Sequence, residues 1–261
     1  MQLSLSGKHA LVGGGSAGIG KAVAIELAML GADVTLVART ETALQKAVQE
    51  LNTSTGQVHG YIVADYAQPD TLIAQVAQLV TDKPVHILIN NTGGPPGGPI
   101  IAAAATAFLS AIQNHLICNQ LLAQTVLEGM KSVGYGRIVN VISTSVKEPL
   151  DNLGVSNTTR WAVAGWSKTW ANEVGRFGIT VNNVLPGYTA TGRLTEIVEK
   201  RATASGLTPE AVEEQFKSHV PLRRFAQPAE IAAAVAFLTT PAAGYINGVN
   251  LPVDGGRTKS L

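Results

Sequence analysis

Residues 12–23 read VGGGSAGIGKAV. A short apolar run, HALVG at 9–13, leads into consecutive glycines, and AGIGKAVAIELAML leads away with helical character. Gly14, Gly18 and Gly20 form a G-x-x-x-G-x-G pattern between a strand and a helix. Such a turn needs backbone without Cβ, both for tightness and for close approach of a pyrophosphate. The helix that follows offers free N–H groups and the positive end of its dipole. A glycine pattern alone is weak evidence; the strand before it and the amphipathic helix after it supply the required context. Ser16 and Ile19 belong to the same candidate nucleotide loop.

The alternation continues along the chain. Candidate strands are 9–13, 33–38, 58–64, 85–90, 136–142, 179–185 and 249–253, several of them continuously apolar. Unbroken apolar strands are expected where both faces of a parallel sheet are covered. Helical stretches lie between them. The expected fold is α/β: one domain over 1–261, a doubly wound parallel sheet with helices on both faces and ligands at the carboxyl ends of the strands. Two stretches break the pattern. NTGGPPGGP (91–99) holds four glycines and three prolines and cannot be regular structure. Gly187 to Arg224 is a helical excursion, read as a lid near 188–220.

Composition removes other classes. The chain has 261 residues, 46% hydrophobic, with a formal net charge of +1. No charge argument favours nucleic acid or an acidic membrane. The single cysteine, Cys118, excludes an internal disulfide framework. The five histidines are dispersed without ligand spacing, so no metal is expected. There is no signal-like start, and the most apolar segment is far shorter than the roughly 20 residues a membrane helix needs. A cytoplasmic protein with a small-molecule substrate is the expectation.

Several motifs together resemble the short-chain dehydrogenase/reductase family, over nearly the whole chain. GGGSAGIG resembles the family's TGxxxGIG, with Gly13 in place of Thr. ILINNTGG is similar to NNAG, with Thr92 in place of Ala. GRIVNVIS resembles the strand that ends in the catalytic serine, LPGYTAT the PG turn with its following Thr, and YINGVNLPVDGG the C-terminal strand. The resemblance implies a Rossmann fold, an NAD(P)(H) cofactor and interconversion of a carbonyl and an alcohol. The 3-oxoacyl-carrier-protein reductases and the sugar or polyol dehydrogenases are the nearest resemblance. It also implies a homotetramer or dimer, with Trp161, Trp166 and Trp170 read as packing residues.

The resemblance assigns the cofactor residues Asp65, Asn90, Asn91, Gly93, Pro186, Gly187, Thr189 and Thr191. The second strand ends LVART, so Ala38 stands where an acid would hold ribose hydroxyls, and Arg39 follows. A guanidinium suits a 2′-phosphate. NADP(H) is therefore preferred, with NAD(H) the other possibility.

The catalytic set departs from the family pattern. Asn114 matches the family's Asn and Ser143 its Ser, but the Y-x-x-x-K pair becomes Ser156 and Arg160. A serine hydroxyl is a poorer acid than a phenol, and arginine stays protonated. Lys147 and Tyr188 are the replacement candidates for the proton donor; their structural alternatives are a solvated loop lysine and a ring packed under the lid. His115 is expected to face away from Asn114, because successive helix residues point about 100° apart. Arg193 is read as an exposed helix arginine, with an anionic substrate group as the other assignment. Against the oxidoreductase stand a dinucleotide-binding protein without hydride chemistry, acting as a sensor or structural partner, and a weaker lyase or isomerase reading.

Overall fold

A computed structural model describes residues 1–260 of the chain. Seven strands form one all-parallel sheet: β1 (His9–Gly13), β2 (Asp33–Ala38), β3 (Gly60–Val63), β4 (Ile87–Asn90), β5 (Gly136–Val141), β6 (Ile179–Pro186) and β7 (Asn250–Val253). Their order is β3-β2-β1-β4-β5-β6-β7. The order reverses direction between β1 and β4, which opens a crevice at the carboxyl ends. The expected strands at 58–64 and 85–90 are shorter in the fold, and the expected elements otherwise stand where the sequence puts them.

The continuous apolar runs are explained by two covered faces. On β1, Ala10 and Val12 enter one core and Leu11 the other; on β4, Ile87 and Ile89 oppose Leu88. Alternate strand residues point to opposite faces, so a fully apolar strand feeds two cores. Helices α1 (Gly18–Met29), α2 (Glu41–Gln49) and α9 (Pro228–Thr239) cover the first face. Helices α3 (Pro69–Asp82), α5 (Cys118–Val133) and α6 (Gly154–Val174) cover the second. Cys118 is buried there as a free thiol. Helix α4 (Ala105–Ile112) precedes α5, joined to it by a π-helical stretch, Gln113–Ile117. The excursion after β6 is two helices, α7 (Gly192–Ser205) and α8 (Pro209–Ser218), with its own small core of Leu194, Val198, Ala202 and Val212. No helix among the described residues is long and apolar enough to cross a membrane.

One polar feature of the sheet was not anticipated. Asn90, Asn140, Asn183 and Asn250 stand in register on four neighbouring strands. Asn90 Nδ2 donates to Asn140 Oδ1 at 2.8 Å, Asn140 Nδ2 to Asn183 Oδ1 at 2.8 Å, and Asn183 Nδ2 to Asn250 Oδ1 at 2.7 Å. Asn140 is the fully buried centre of this ladder. Asn140→Ala would leave the Asn90 donor and the Asn183 acceptor buried without partners, at a cost of about 3 kcal/mol. Asn250→Ala, at the exposed end of the ladder, should cost about 0.5 kcal/mol. Urea denaturation of the two variants checks the difference.

Candidate active site

The glycine loop connects β1 to α1. Gly14 and Gly18 have φ of +59° and +55°, a region that favours glycine. A Cβ on Gly20 would lie 2.2 Å from the Gly14 carbonyl oxygen, and one on Gly14 2.6 Å from Asn91 Nδ2. The N-cap of α1 is Ala17, with no side-chain cap on the first-turn N–H groups. Uncapped N–H groups behind a loop stripped of side chains fit a pyrophosphate. Gly13, the departure from the family's Thr, has a local cause. A Cβ there would meet the Tyr66 hydroxyl at 2.3 Å and the Asn91 carbonyl at 2.7 Å. Tyr66 is buried against the loop from the segment after β3 and occupies the space a threonine would need.

The other cofactor candidates divide into two groups. Asn91 clamps the loop, its Nδ2 donating to the Gly13 carbonyl at 3.1 Å. Thr191 approaches from the lid side, its Cγ2 3.4 Å from where a Gly18 Cβ would stand, and its hydroxyl donates to the Thr189 carbonyl. Pro186 ends β6, and the Thr189 hydroxyl donates to Gly187. Ser16 and Ile19 are half-buried in the loop, and Gly93 borders a cavity after β4. Arg39 stands exposed at the carboxyl end of β2, and among the described residues it has no hydrogen-bond or ion-pair partner. Asp65 is half-buried after β3 and accepts from the Ala67 N–H.

Asn90 is the last residue of β4; it is 3% exposed, and its side chain is engaged in the asparagine ladder within the sheet.

The catalytic candidates stand on the turn after β5, on α6, in the π-helical stretch and in the segment after β6. Ser143 follows β5 and caps a short 3₁₀ turn, its Oγ accepting the Ser145 N–H at 3.1 Å. Arg160, on α6, is 8% exposed, and its Nη1 donates to the Val141 carbonyl at 3.3 Å, two residues from Ser143. Its Nε is buried with no partner. No carboxylate pairs with it among the described residues. Burial, and secondarily Arg193, push its guanidinium down to about 10, still fully charged at neutral pH. Ser156 lies one turn earlier on α6, half-buried.

His115 overturns the expectation that it faces away. Asn114 and His115 both line a cavity of about 370 Å³ with Gly93, Gly94 and Ser110. His115 is 3% exposed and lies within electrostatic reach of Arg160. The reason is the π-helical stretch. Its i→i+5 turn holds more residues than an α-turn, so consecutive side chains diverge by less than 100°. Burial first, and then Arg160, push the imidazole down to about 2; a hydrogen bond to the Gly93 backbone opposes them. A composition-based reading could not place a π-bulge. The sequence signal was a histidine within the run QNHLICNQ at 113–120.

His115 and His9 give the fold a pH dependence. Burial is also the main cause that pushes His9 down to about 4. Both imidazoles are neutral in the fold, while the unfolded chain protonates near pH 6.5. Unfolding therefore takes up protons, and stability falls as the pH drops below about 6.5. It continues to fall toward pH 4 for His9 and toward pH 2 for His115. At pH 4.5 the two should together remove about 5 kcal/mol relative to pH 7.5. His115→Asn should recover about half of that loss, measured by urea midpoints at the two pH values.

The two replacement donors are placed differently. Tyr188 stacks on Phe216 at 4.7 Å and meets the edge of Phe225, with the Arg257 guanidinium 5.0 Å from its ring centre. It is the ring packed under the lid. Lys147 is half-buried at the end of the 3₁₀ turn that begins at Ser143. Trp166 and Trp170 both donate to Gln120 Oε1 and pack against the α5 side of the core, as expected of structural tryptophans.

Residues 14–258 match a family model described as enoyl-(acyl carrier protein) reductase. The chain is 32% identical to the 3-oxoacyl-[acyl-carrier-protein] reductase FabG of Pseudomonas aeruginosa, over 99% of this chain and all of that one. Among solved structures it superposes on the L-sorbose reductase of Gluconobacter frateurii, complexed with NADPH and L-sorbose, with a TM-score of 0.93 at 31% identity, covering the whole of both chains. YwfH, an NADPH-dependent reductase involved in bacilysin biosynthesis, superposes with a TM-score of 0.92 at 26% identity, over 98% of this chain and all of that one. With the sheet order, the glycine loop and the serine after β5 already in place, these matches mean that the chain belongs to the short-chain dehydrogenase/reductase family of NAD(P)-dependent oxidoreductases.

Proposed function

We propose that this chain is an NADP(H)-dependent reductase of a carbonyl compound in which a buried arginine replaces the tyrosine–lysine pair. The carrying observation is Arg160: a charged guanidinium, 8% exposed, without a carboxylate partner, reaching the carboxyl end of β5 beside Ser143. A charge held there is positioned for a negative charge that develops during reaction.

The glycine loop of Gly14, Gly18 and Gly20 would hold the pyrophosphate, and Arg39 the 2′-phosphate. Asp65, Asn91, Gly93, Thr189 and Thr191 border the path between them and the nicotinamide end. When bound, NADPH supplies the hydride. Ser143 Oγ already accepts the Ser145 N–H, so its own proton is free to donate to the substrate carbonyl oxygen. Arg160 stabilises the alkoxide electrostatically without giving up a proton. His115 stays neutral and adds no second positive charge beside Arg160. The short Ser156 side chain leaves room for water near Arg160, and the alkoxide draws its proton from that water. Lys147 is the alternative donor.

One observation favours the non-catalytic reading. The candidate phenol, Tyr188, is stacked on Phe216 and packed against the small core of α7 and α8. The deciding experiment is titration with NADPH, followed by its oxidation against ketoses, simple ketones and 3-oxoacyl thioesters. Turnover supports the reductase. Tight NADPH binding with no turnover across the panel supports the dinucleotide-binding protein.

A homo-oligomer is part of the same reading. Leu109 on α4, Ile117 in the π-helical stretch and Trp161 on α6 are 70%, 43% and 51% exposed. Exposed large apolar side chains on helices of one face of the sheet support subunit packing.

A further inference from the structure

Arg193 stands in the first turn of α7. Its Nη2 donates to the Pro95 carbonyl at 2.7 Å, so the lid reaches across to the glycine- and proline-rich loop after β4. Gly94 of that loop faces two guanidiniums. From the position where a Gly94 Cβ would stand, Arg160 Nη2 is 3.7 Å away and Arg193 Nη2 4.0 Å. Two like charges therefore share one small region. Their repulsion is felt at Arg160, whose guanidinium Arg193 pushes down.

Among the described residues no buried acid pairs with either guanidinium. Arg160 has a buried, unpartnered Nε and no acid. The partner of Arg193 is Glu196, at 3.3 Å from Nη1, with 60% of its side chain exposed. A surface ion pair of that kind contributes about 0–1 kcal/mol and is readily exchanged. A buried guanidinium beside a second cation is costly unless an anion joins them. A carboxylate suits the gap, because its two oxygens match the forked N–H groups of arginine. Glycine at 94 keeps the space between the forks open.

We propose that Arg160 and Arg193 clamp a carboxylate of the substrate, so that the carbonyl compound reduced here is an oxo acid. The proposal rests on reading the region where Arg160 and Arg193 meet over Gly94 as the substrate site of the proposed reductase. It makes Arg193, a lid residue, a specificity determinant.

The test is calorimetric titration with 2-oxobutanoate, 4-oxopentanoate and benzoate, each beside its neutral carboxamide. Each titration is run on the protein alone and on the protein saturated with NADP⁺. At least one carboxylate should bind at least about tenfold tighter than its amide, a difference of about 1.4 kcal/mol. Arg193→Met should abolish that preference while leaving the amide's affinity unchanged. Arg201→Met, at an exposed position of the same helix, should preserve it. The proposal is overturned if acids and amides bind alike, if none of the acids binds, or if Arg193→Met keeps the preference. NADP⁺ affinity is read from the same samples. Its absence would strike the dinucleotide reading, while the acid–amide comparison on the protein alone would still decide this one.

Discussion

Arg160→Met should lower turnover at saturating substrate by about 10²-fold or more, the loss seen when one preorganised donor to a developing oxyanion is removed. The variant should be at least as stable as the parent. Arg160 is buried, makes one backbone hydrogen bond at 3.3 Å and has no carboxylate partner, so its replacement removes a desolvated charge and strands no acid. That combination separates a chemical role from a structural one. A purely structural arginine would lose stability and activity together. Ser156→Ala provides the contrast, with an expected change of less than about threefold, because water rather than the hydroxyl delivers the proton in this reading. If Ser156→Ala matched Arg160→Met, the serine itself would be the acid. Steady-state kcat and KM with the best substrate of the panel, beside thermal unfolding, decide between them.

Arg39→Asp should weaken NADPH about 100-fold and NADH less than about threefold, since one charge-assisted hydrogen bond is worth about 1.5–3 kcal/mol and each 1.4 kcal/mol is tenfold. The side chain is exposed at the end of β2, and Ala38 before it offers no acid to hold a ribose hydroxyl or repel a phosphate. The substitution removes the guanidinium and adds a carboxylate at the point where a 2′-phosphate would lie. Because the site is exposed, the discrimination should shrink as salt rises and the screening length falls below about 10 Å. Titrations of both nucleotides at low and high salt check it. Equal losses for NADPH and NADH would overturn the cofactor preference.

The nucleotide half of the site was legible because its requirements are local. Gly14, Gly18 and Gly20 are demanded by backbone geometry within one turn, and the neighbouring strand and helix announce themselves by periodicity. Gly13 looked like an arbitrary departure. Its cause is Tyr66, distant in sequence, whose hydroxyl fills the space of a threonine side chain. Asn90 could be placed at the end of its strand, but only the register of β4 on β5 shows its amide paired with Asn140.

The catalytic half was legible in its anomaly and not in its remedy. Ser156 and Arg160 could be read four residues apart on one helix. That Arg160 is buried beside His115 depends on the π-helical stretch, which shifts the face of one helix relative to another. Tyr188 had the right chemistry for a donor and was placed instead in the lid core against Phe216.

By itself the sequence determined the doubly wound sheet, the glycine pattern between its first strand and helix, Ala38 and Arg39 at the end of β2, and Ser156 and Arg160 four residues apart on one helix. These follow from local periodicity, from residues without Cβ and from residue identity, all of which are properties of short segments. Only the tertiary structure decided that four asparagines form a ladder, that His115 rather than Tyr188 lies beside Arg160, and that Arg193 meets Arg160 across Gly94. Each of those joins side chains from separate elements. Their meeting is set by strand register, by helix phase and by how the lid packs onto the sheet, which no local pattern encodes.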